Sequence, residues 1–157
     1  MKTFNNIFLF VAICSFTLFG CKKQHCKDDE DNCKKVKNEI ALTGAQEVPP
    51  KETEAHGTAN VSYNKCDKIL KYTISFSDLT GEPIGSHIHG TAPKGVNAPV
   101  KHDFTALIPK ATSGTLTNSV IVDGIAIKED SLLAGYYYIN IHTPKFPGGE
   151  IRGQIEF

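Results

Sequence analysis

Apolar and polar residues alternate along much of the chain with a period of two. The clearest example is Leu70, Tyr72, Ile74 and Phe76, which are separated by charged or hydroxyl residues. Successive side chains of a β-strand point to opposite faces, so this pattern predicts a strand that buries one face. Weaker versions of the same pattern predict further strands near residues 40–42, 59–63, 87–90, 100–107, 116–125, 136–142 and 150–157.

The segments between these strands carry turn residues. Asn64–Asp67 is predicted to be a hairpin turn, and residues 91–99 and 143–149 are rich in Pro and Gly and are predicted to be loops. Only Lys128–Ala134 has a helical pattern, ending at Gly135. Short strands with almost no helix indicate an all-β protein, an antiparallel β-sandwich or Greek-key barrel, with one short helical turn before the penultimate strand.

The N-terminal residues have the pattern of a targeting signal. Lys2 precedes an apolar run from Ile7 to Phe19, which is shorter than the roughly 20 residues of a spanning helix. The run ends in Leu-Phe-Gly-Cys at Cys21, which resembles the lipobox of bacterial lipoproteins. Residues 1–20 are therefore predicted to be a lipoprotein signal peptide and Cys21 the lipid-modified residue. Ordinary cleavage that leaves Cys21 as a thiol is the alternative.

A charged segment follows Cys21. Residues 21–38 have no apolar period, so we expect a disordered tether, with the folded domain at residues 39–157. Residues 27–31 form an acidic run that resembles the surface-export tags of some bacterial lipoproteins. We therefore expect a lipid-anchored protein of the bacterial cell envelope, at the periplasmic face of the outer membrane or on the cell surface. A solvated linker is the alternative reading of the acidic run.

Composition limits the classes of binding partner and the residue types that can form the core. Formal net charge is +0 and tryptophan is absent. No basic field attracts nucleic acid, and the core must come from aliphatic residues, Phe and Tyr. The expected partners are the membrane, through Cys21, and an unidentified extracellular protein or small ligand. Among the five cysteines, Cys26, Cys33 and Cys66 remain available for a disulfide, and both Cys26–Cys33 and Cys33–Cys66 are open.

Three histidines lie in predicted strands. His87 and His89 share one face of their strand because they are two residues apart, and His142 lies near the end of another strand. Neutral imidazole is a common ligand of copper and zinc, so these residues are the candidate metal ligands. If the apolar residues face inward, all three point outward, under the Pro/Gly loops. The alternative is that they hydrogen-bond the loops without any metal.

Arg152 shares the outer face of the last strand with Glu150. It is the candidate charge-stabilising residue of a metal-dependent reaction, while the alternative is an exposed ion pair with Glu150. Ser86 and His87 are adjacent in a strand and point to opposite faces, so they do not form a nucleophile–base pair.

Three blocks of sequence together resemble the CHRD domain, a family named from chordin that also occurs in bacterial extracellular proteins. The blocks are Ala41–Pro50, His87-Ile88-His89-Gly90 with the following loop, and Asn140–Gln154, and the resemblance covers about Glu39 to Phe157. It implies an extracellular domain and says little about activity.

A second resemblance, in the order of His87, His89, His142 and Arg152, is to copper-zinc superoxide dismutase. It implies a superoxide dismutase-like sandwich, to which an immunoglobulin-like one is the alternative. The expected function is thus an exported, lipid-anchored binding module, and the alternative is a copper or zinc site that could be redox-active. On balance, we do not expect the protein to be an enzyme.

Overall fold

A computed structural model describes residues 33–157, which form one antiparallel β-sheet with two short helical segments. The strands are β1 (Lys34–Thr43), β2 (His56–Asn64), β3 (Ile69–Ser77), β4 (Gly85–Gly90), β5 (Val100–Asp103), β6 (Gly114–Ile121), β7 (Tyr137–His142) and β8 (Ile151–Ile155). A 3-10 turn at Gly44–Gln46 follows β1, and helix α1 (Glu129–Leu133) precedes β7. The all-β prediction and the short helix before the penultimate strand are confirmed.

The eight strands lie in the order β5-β4-β7-β8-β1-β2-β3-β6 and curve into a nearly closed, barrel-like sheet. The two four-stranded halves meet where β1 and β8 pair at a single position, Thr43 opposite Arg152. On the far side, His102 of β5 lies 2.9 Å from the hydroxyl of Tyr72 on β3. The apolar faces of both halves therefore enclose one core.

The alternation read from the sequence accounts for this core. Leu70, Tyr72, Ile74 and Phe76 are all buried, at 3% exposure or less, whereas the residues between them are partly or fully exposed. In β7 and β8 the expected inward residues are also buried: Tyr137, Ile139, Ile141, Ile151 and Ile155. Their burial leaves the polar side chains of β7 and β8 on the outer face.

Strand β1 begins within the segment that composition predicts to be a tether. Lys34 pairs with Asn64 of β2, and Cys33 forms a disulfide with Cys66, with Cα atoms 5.6 Å apart. One of the two open cysteine pairings is thereby selected. The side chains of residues 34–38 are exposed, so this part of β1 is held by backbone pairing rather than by apolar burial. Composition therefore gave no sign of the strand.

The predicted signal peptide, Cys21 and Cys26 lie outside residues 33–157. Within that described range, no helix has the length and apolar character to cross a bilayer.

The outer face of β7 and β8 is covered. Residues 91–99, which we call the cap loop, fold back over it, and Gln154 of β8 donates to the carbonyl of Ala92 in this loop. Asn140, Arg152 and Gln154 point outward from the sheet, yet each is at most 4% exposed. The histidines of β4 and β7 lie on this same outer face.

Candidate metal centre

Strand pairing brings the three predicted ligands together. In the antiparallel register of β4 and β7, His87 lies opposite Asn140, His89 opposite Tyr138 and Gly85 opposite His142. The parity of both strands places all three imidazoles on the outer face. Gly85 leaves room for two of them, since a Cβ there would lie 3.1 Å from His87 Cε1 and 3.2 Å from His142 Cδ2.

The ligand nitrogens of His87, His89 and His142 all lie within 4.8 Å of one another. His87 Nδ1 and His142 Nε2 are 3.0 Å apart. Ligand bonds of about 2.1 Å place two nitrogens of a tetrahedral ion about 3.4 Å apart. The cluster is therefore compact enough for the three rings to converge on one ion.

Backbone carbonyls hold two of the rings in a defined tautomer. His89 Nδ1 lies 2.8 Å from the carbonyl oxygen of Ala98, and His142 Nδ1 lies 3.0 Å from that of Pro147. A carbonyl only accepts, so each Nδ1 carries the proton and each neutral ring presents its Nε2 lone pair. The Nε2 atom of His89 is buried and has no hydrogen-bond partner. An unpaired buried nitrogen is costly unless something binds it.

Burial keeps the rings neutral. The pKa of His142 is lowered to about 4, chiefly by burial and also by the neighbouring His87 and His89, against the hydrogen bond to Pro147. Burial likewise lowers the pKa of His89, and that of His87 despite the nearby Asp103 carboxylate. Metal binding requires neutral imidazole, so at neutral pH the three rings have the charge state that ligation needs.

Arg152 anchors the cap loop. Its guanidinium donates to the carbonyl of Val96 at 2.8 Å and to the side chain of Asn97 at 3.1 Å. It also lies over the Tyr138 ring, 3.4 Å from the centroid, and that ring stacks on His89 with centroids 4.8 Å apart. The Tyr138 hydroxyl accepts from the backbone of Ala98, the residue whose carbonyl orients His89. Arg152 is therefore connected to the histidines through the loop and the Tyr138 ring.

Glu47 and Asn140 form a buried polar pair beneath the turn before β8. Asn140 Nδ2 donates to Glu47 Oε1 at 2.6 Å, and Glu47 is 4% exposed. Burial raises the pKa of Glu47 to about 7, against the opposing effects of Arg152, Lys51 and the hydrogen bond from Asn140. The carboxyl group of Glu47 therefore has a structural role beside the sheet and is shielded from solvent.

Glu150 does not form the exposed ion pair with Arg152 that was the alternative for these residues. Glu150 is fully buried and accepts from the hydroxyls of Thr53, Thr80 and Thr143 at 2.7 to 3.0 Å. These hydroxyls come from three separate segments, so Glu150 ties the loops at this end of the barrel together. Arg152 uses its own donors on the cap loop.

Several residues around the histidines were not found from the sequence. Glu47, Asn97, Tyr138 and Asp103 lie far from one another along the chain, and no spacing pattern links them. His102 and Asp103 are adjacent residues of β5. They point in opposite directions from β5, His102 to Tyr72 and Asp103 to His87, with Oδ1 3.7 Å from Nε2.

Comparison with known protein families gives a match. The model of the CHRD domain family matches residues 39–155, which is most of the chain. No match was found among the curated proteins or among the solved structures.

The turn before β8 generates a testable prediction. Gly149 has a φ of 125°, and a Cβ there would lie 2.5 Å from Asn140 Nδ2 and 2.6 Å from Glu47 Oε1. Gly149→Ala is expected to lower the free energy of unfolding by about 1–3 kcal/mol through strain and crowding. The control is Gly148→Ala, where no atom lies within 4 Å of the added Cβ; it should change stability by less than about 0.5 kcal/mol. Equal losses for both variants in urea unfolding would contradict the prediction.

Proposed function

The chain belongs to the CHRD domain family, and we propose that its domain is an extracytoplasmic binding module whose ligand is a copper ion. The ligands are His87, His89 and His142. The observation that carries the proposal is the convergence of their ring nitrogens within 4.8 Å, together with the unpaired, buried Nε2 of His89. Hydrogen bonding to the loops explains the Nδ1 atoms of His89 and His142 but leaves that Nε2 without a role.

The donor set favours copper. All three donors are imidazole nitrogens, which suit copper and zinc, and Cu²⁺ binds nitrogen sites more tightly than the other divalent ions of its row. A structural zinc site takes four protein ligands, whereas the cluster found in the described residues has three. An ion held here would keep a coordination position for water or for an incoming group. Zinc is the comparison ion in the experiments below.

Binding is better supported than redox catalysis. An enzyme of the superoxide dismutase kind would need a free cationic group beside the open position. The guanidinium of Arg152 is buried, donates to Val96 and Asn97 and lies on Tyr138. Its observed contacts suit a structural anchor of the site, and its role in catalysis stays a prediction.

We further propose that the protein is exported and held at the outer membrane by a lipid on Cys21. The apolar run that ends at Cys21 supports this. The anchor would keep the metal site outside the cytoplasm, close to the membrane. An extracellular protein or small molecule that uses the open coordination position would be the further partner.

The anchor is tested by Cys21→Ser. The variant is expected to lose lipid labelling and to leave the membrane fraction, because the proposed lipid is attached to the thiol of this residue. Cys14→Ser, inside the apolar run, is the matched control and should retain both. Membrane retention of Cys21→Ser equal to that of the wild type would contradict the lipid anchor.

The metal site is tested by removing its ligands one at a time. The wild type is expected to bind one Cu²⁺, and His87→Ala, His89→Ala and His142→Ala should each lose more than the roughly 100-fold that an outer-shell substitution costs. Isothermal titration against Cu²⁺ and Zn²⁺ gives the affinities. His56→Ala is the control because His56 is exposed on β2. Equal affinities for the four variants would contradict the site.

The pH dependence of binding is the third test. Protons compete with the ion only below the histidine pKa values, which burial lowers from 6.5. Affinity for Zn²⁺ should therefore be nearly constant from about pH 8 to about pH 6.5 and fall only in more acidic solution. An affinity that already falls by tenfold per pH unit above pH 6.5 would show that the rings are not held neutral.

A further inference from the structure

His87 is the ligand whose metal-free tautomer conflicts with metal binding. His142 carries its proton on Nδ1, so its Nε2 is an acceptor. His87 Nδ1, 3.0 Å away, must then donate a proton to it. The metal-free His87 is thus the Nδ1–H tautomer. This single hydrogen bond occupies two imidazole nitrogens that an ion would use.

The other nitrogen of His87 faces a different set of groups. Strand β5 pairs with β4 so that Asp103 lies opposite His87. Asp103 Oδ1 is 3.7 Å from His87 Nε2, and Thr105 Oγ1 is 3.4 Å from it. The backbone N–H of Thr105 donates to Asp103 Oδ1 at 2.8 Å, which holds the carboxylate at this position. A carboxylate is an acceptor, so this environment suits a protonated Nε2.

We propose that Asp103, with Thr105, is a positioning residue of the metal site: it accepts a hydrogen bond from a protonated Nε2 of His87 and so favours the tautomer in which Nδ1 is free for the ion. The inference rests on the proposed metal-binding function. Nδ1 is the nitrogen of His87 that faces His142, so it is the atom that can share an ion with the Nε2 atoms of His142 and His89.

The change is a redistribution of one proton. Nδ1 loses its proton, Nε2 gains one by way of water, and the ring is neutral before and after. The hydrogen bond between His87 and His142 is replaced by two bonds to the ion and one from Nε2–H to Asp103 or Thr105. A histidine ligand whose second nitrogen donates to a carboxylate is oriented by it and made more basic. Asp103 would thus determine how readily the cluster changes from its hydrogen-bonded form to its ligating form.

Nitrogen chemical shifts of the histidines report the tautomer directly. With ¹⁵N-histidine-labelled protein and Zn²⁺ as a diamagnetic probe, His87 should change from Nδ1–H in the free protein to Nε2–H in the complex. His89 and His142 should keep Nδ1–H throughout because their carbonyl acceptors do not change. A His87 proton that remains on Nδ1 in the zinc complex overturns the inference.

Affinity provides the second measurement. Asp103→Asn should weaken Zn²⁺ binding by about 10- to 100-fold, the usual effect of losing an outer-shell carboxylate, and Asp103→Glu should restore part of it. Asp130→Asn is the matched control, since Asp130 is an exposed aspartate on α1. Unchanged affinity of Asp103→Asn overturns the inference and leaves the proposed function intact. A wild-type protein that binds neither Zn²⁺ nor Cu²⁺ overturns both.

Discussion

The antiparallel register of β4 and β7 is the constraint on which the candidate site depends. It places Ile88 opposite Ile139 in the core and, by the same alternation, turns His87, His89 and His142 to the outer face. A slip of one residue would bury the histidines and expose the isoleucines, so the hydrophobic core enforces the geometry of the polar cluster. The stability of the barrel and the convergence of the imidazoles are consequences of one pairing.

The cap loop depends on a second constraint, the burial of Arg152. An arginine that is 1% exposed needs partners for its charge and its donors, and Arg152 has two hydrogen bonds to the cap loop and a contact with the Tyr138 ring. Holding the loop also holds Ala98, whose carbonyl orients His89. Arg152 therefore holds the loop that covers the outer face of the sheet, and it helps to keep His89 in the tautomer that can bind a metal.

Local sequence patterns predicted a large part of this arrangement. Alternation at Leu70–Phe76 and around His87 identified strands, faces and the shared outward direction of the histidines, because side-chain direction in a strand follows directly from sequence position. The helix before β7 was likewise visible from Lys128 to its glycine stop. These features depend on neighbours that are close in the chain.

Features that depend on distant segments were not predictable in the same way. Nothing local indicates that Asp103 lies beside His87, or that Glu47 meets Asn140, since the sheet order alone brings them together. The start of β1 at Lys34 was also missed, because its polar side chains give no apolar period while its backbone pairs with β2. The exposure of Glu150 and Arg152 was also not predictable. Alternation placed both side chains on the outer face, but the cap loop and three threonine side chains bury them there.

The disulfide between Cys33 and Cys66 has a mechanical consequence. Cys33 lies immediately before β1, and Cys66 lies in the turn between β2 and β3. A pull on the chain before Cys33 would otherwise act on the end of β1 and separate it from β2 one hydrogen bond at a time. With the disulfide, that load passes directly to the β2–β3 turn and does not act on β1 alone. A domain held at its N-terminal end could thus withstand force while the strands that carry the histidines stay undisturbed.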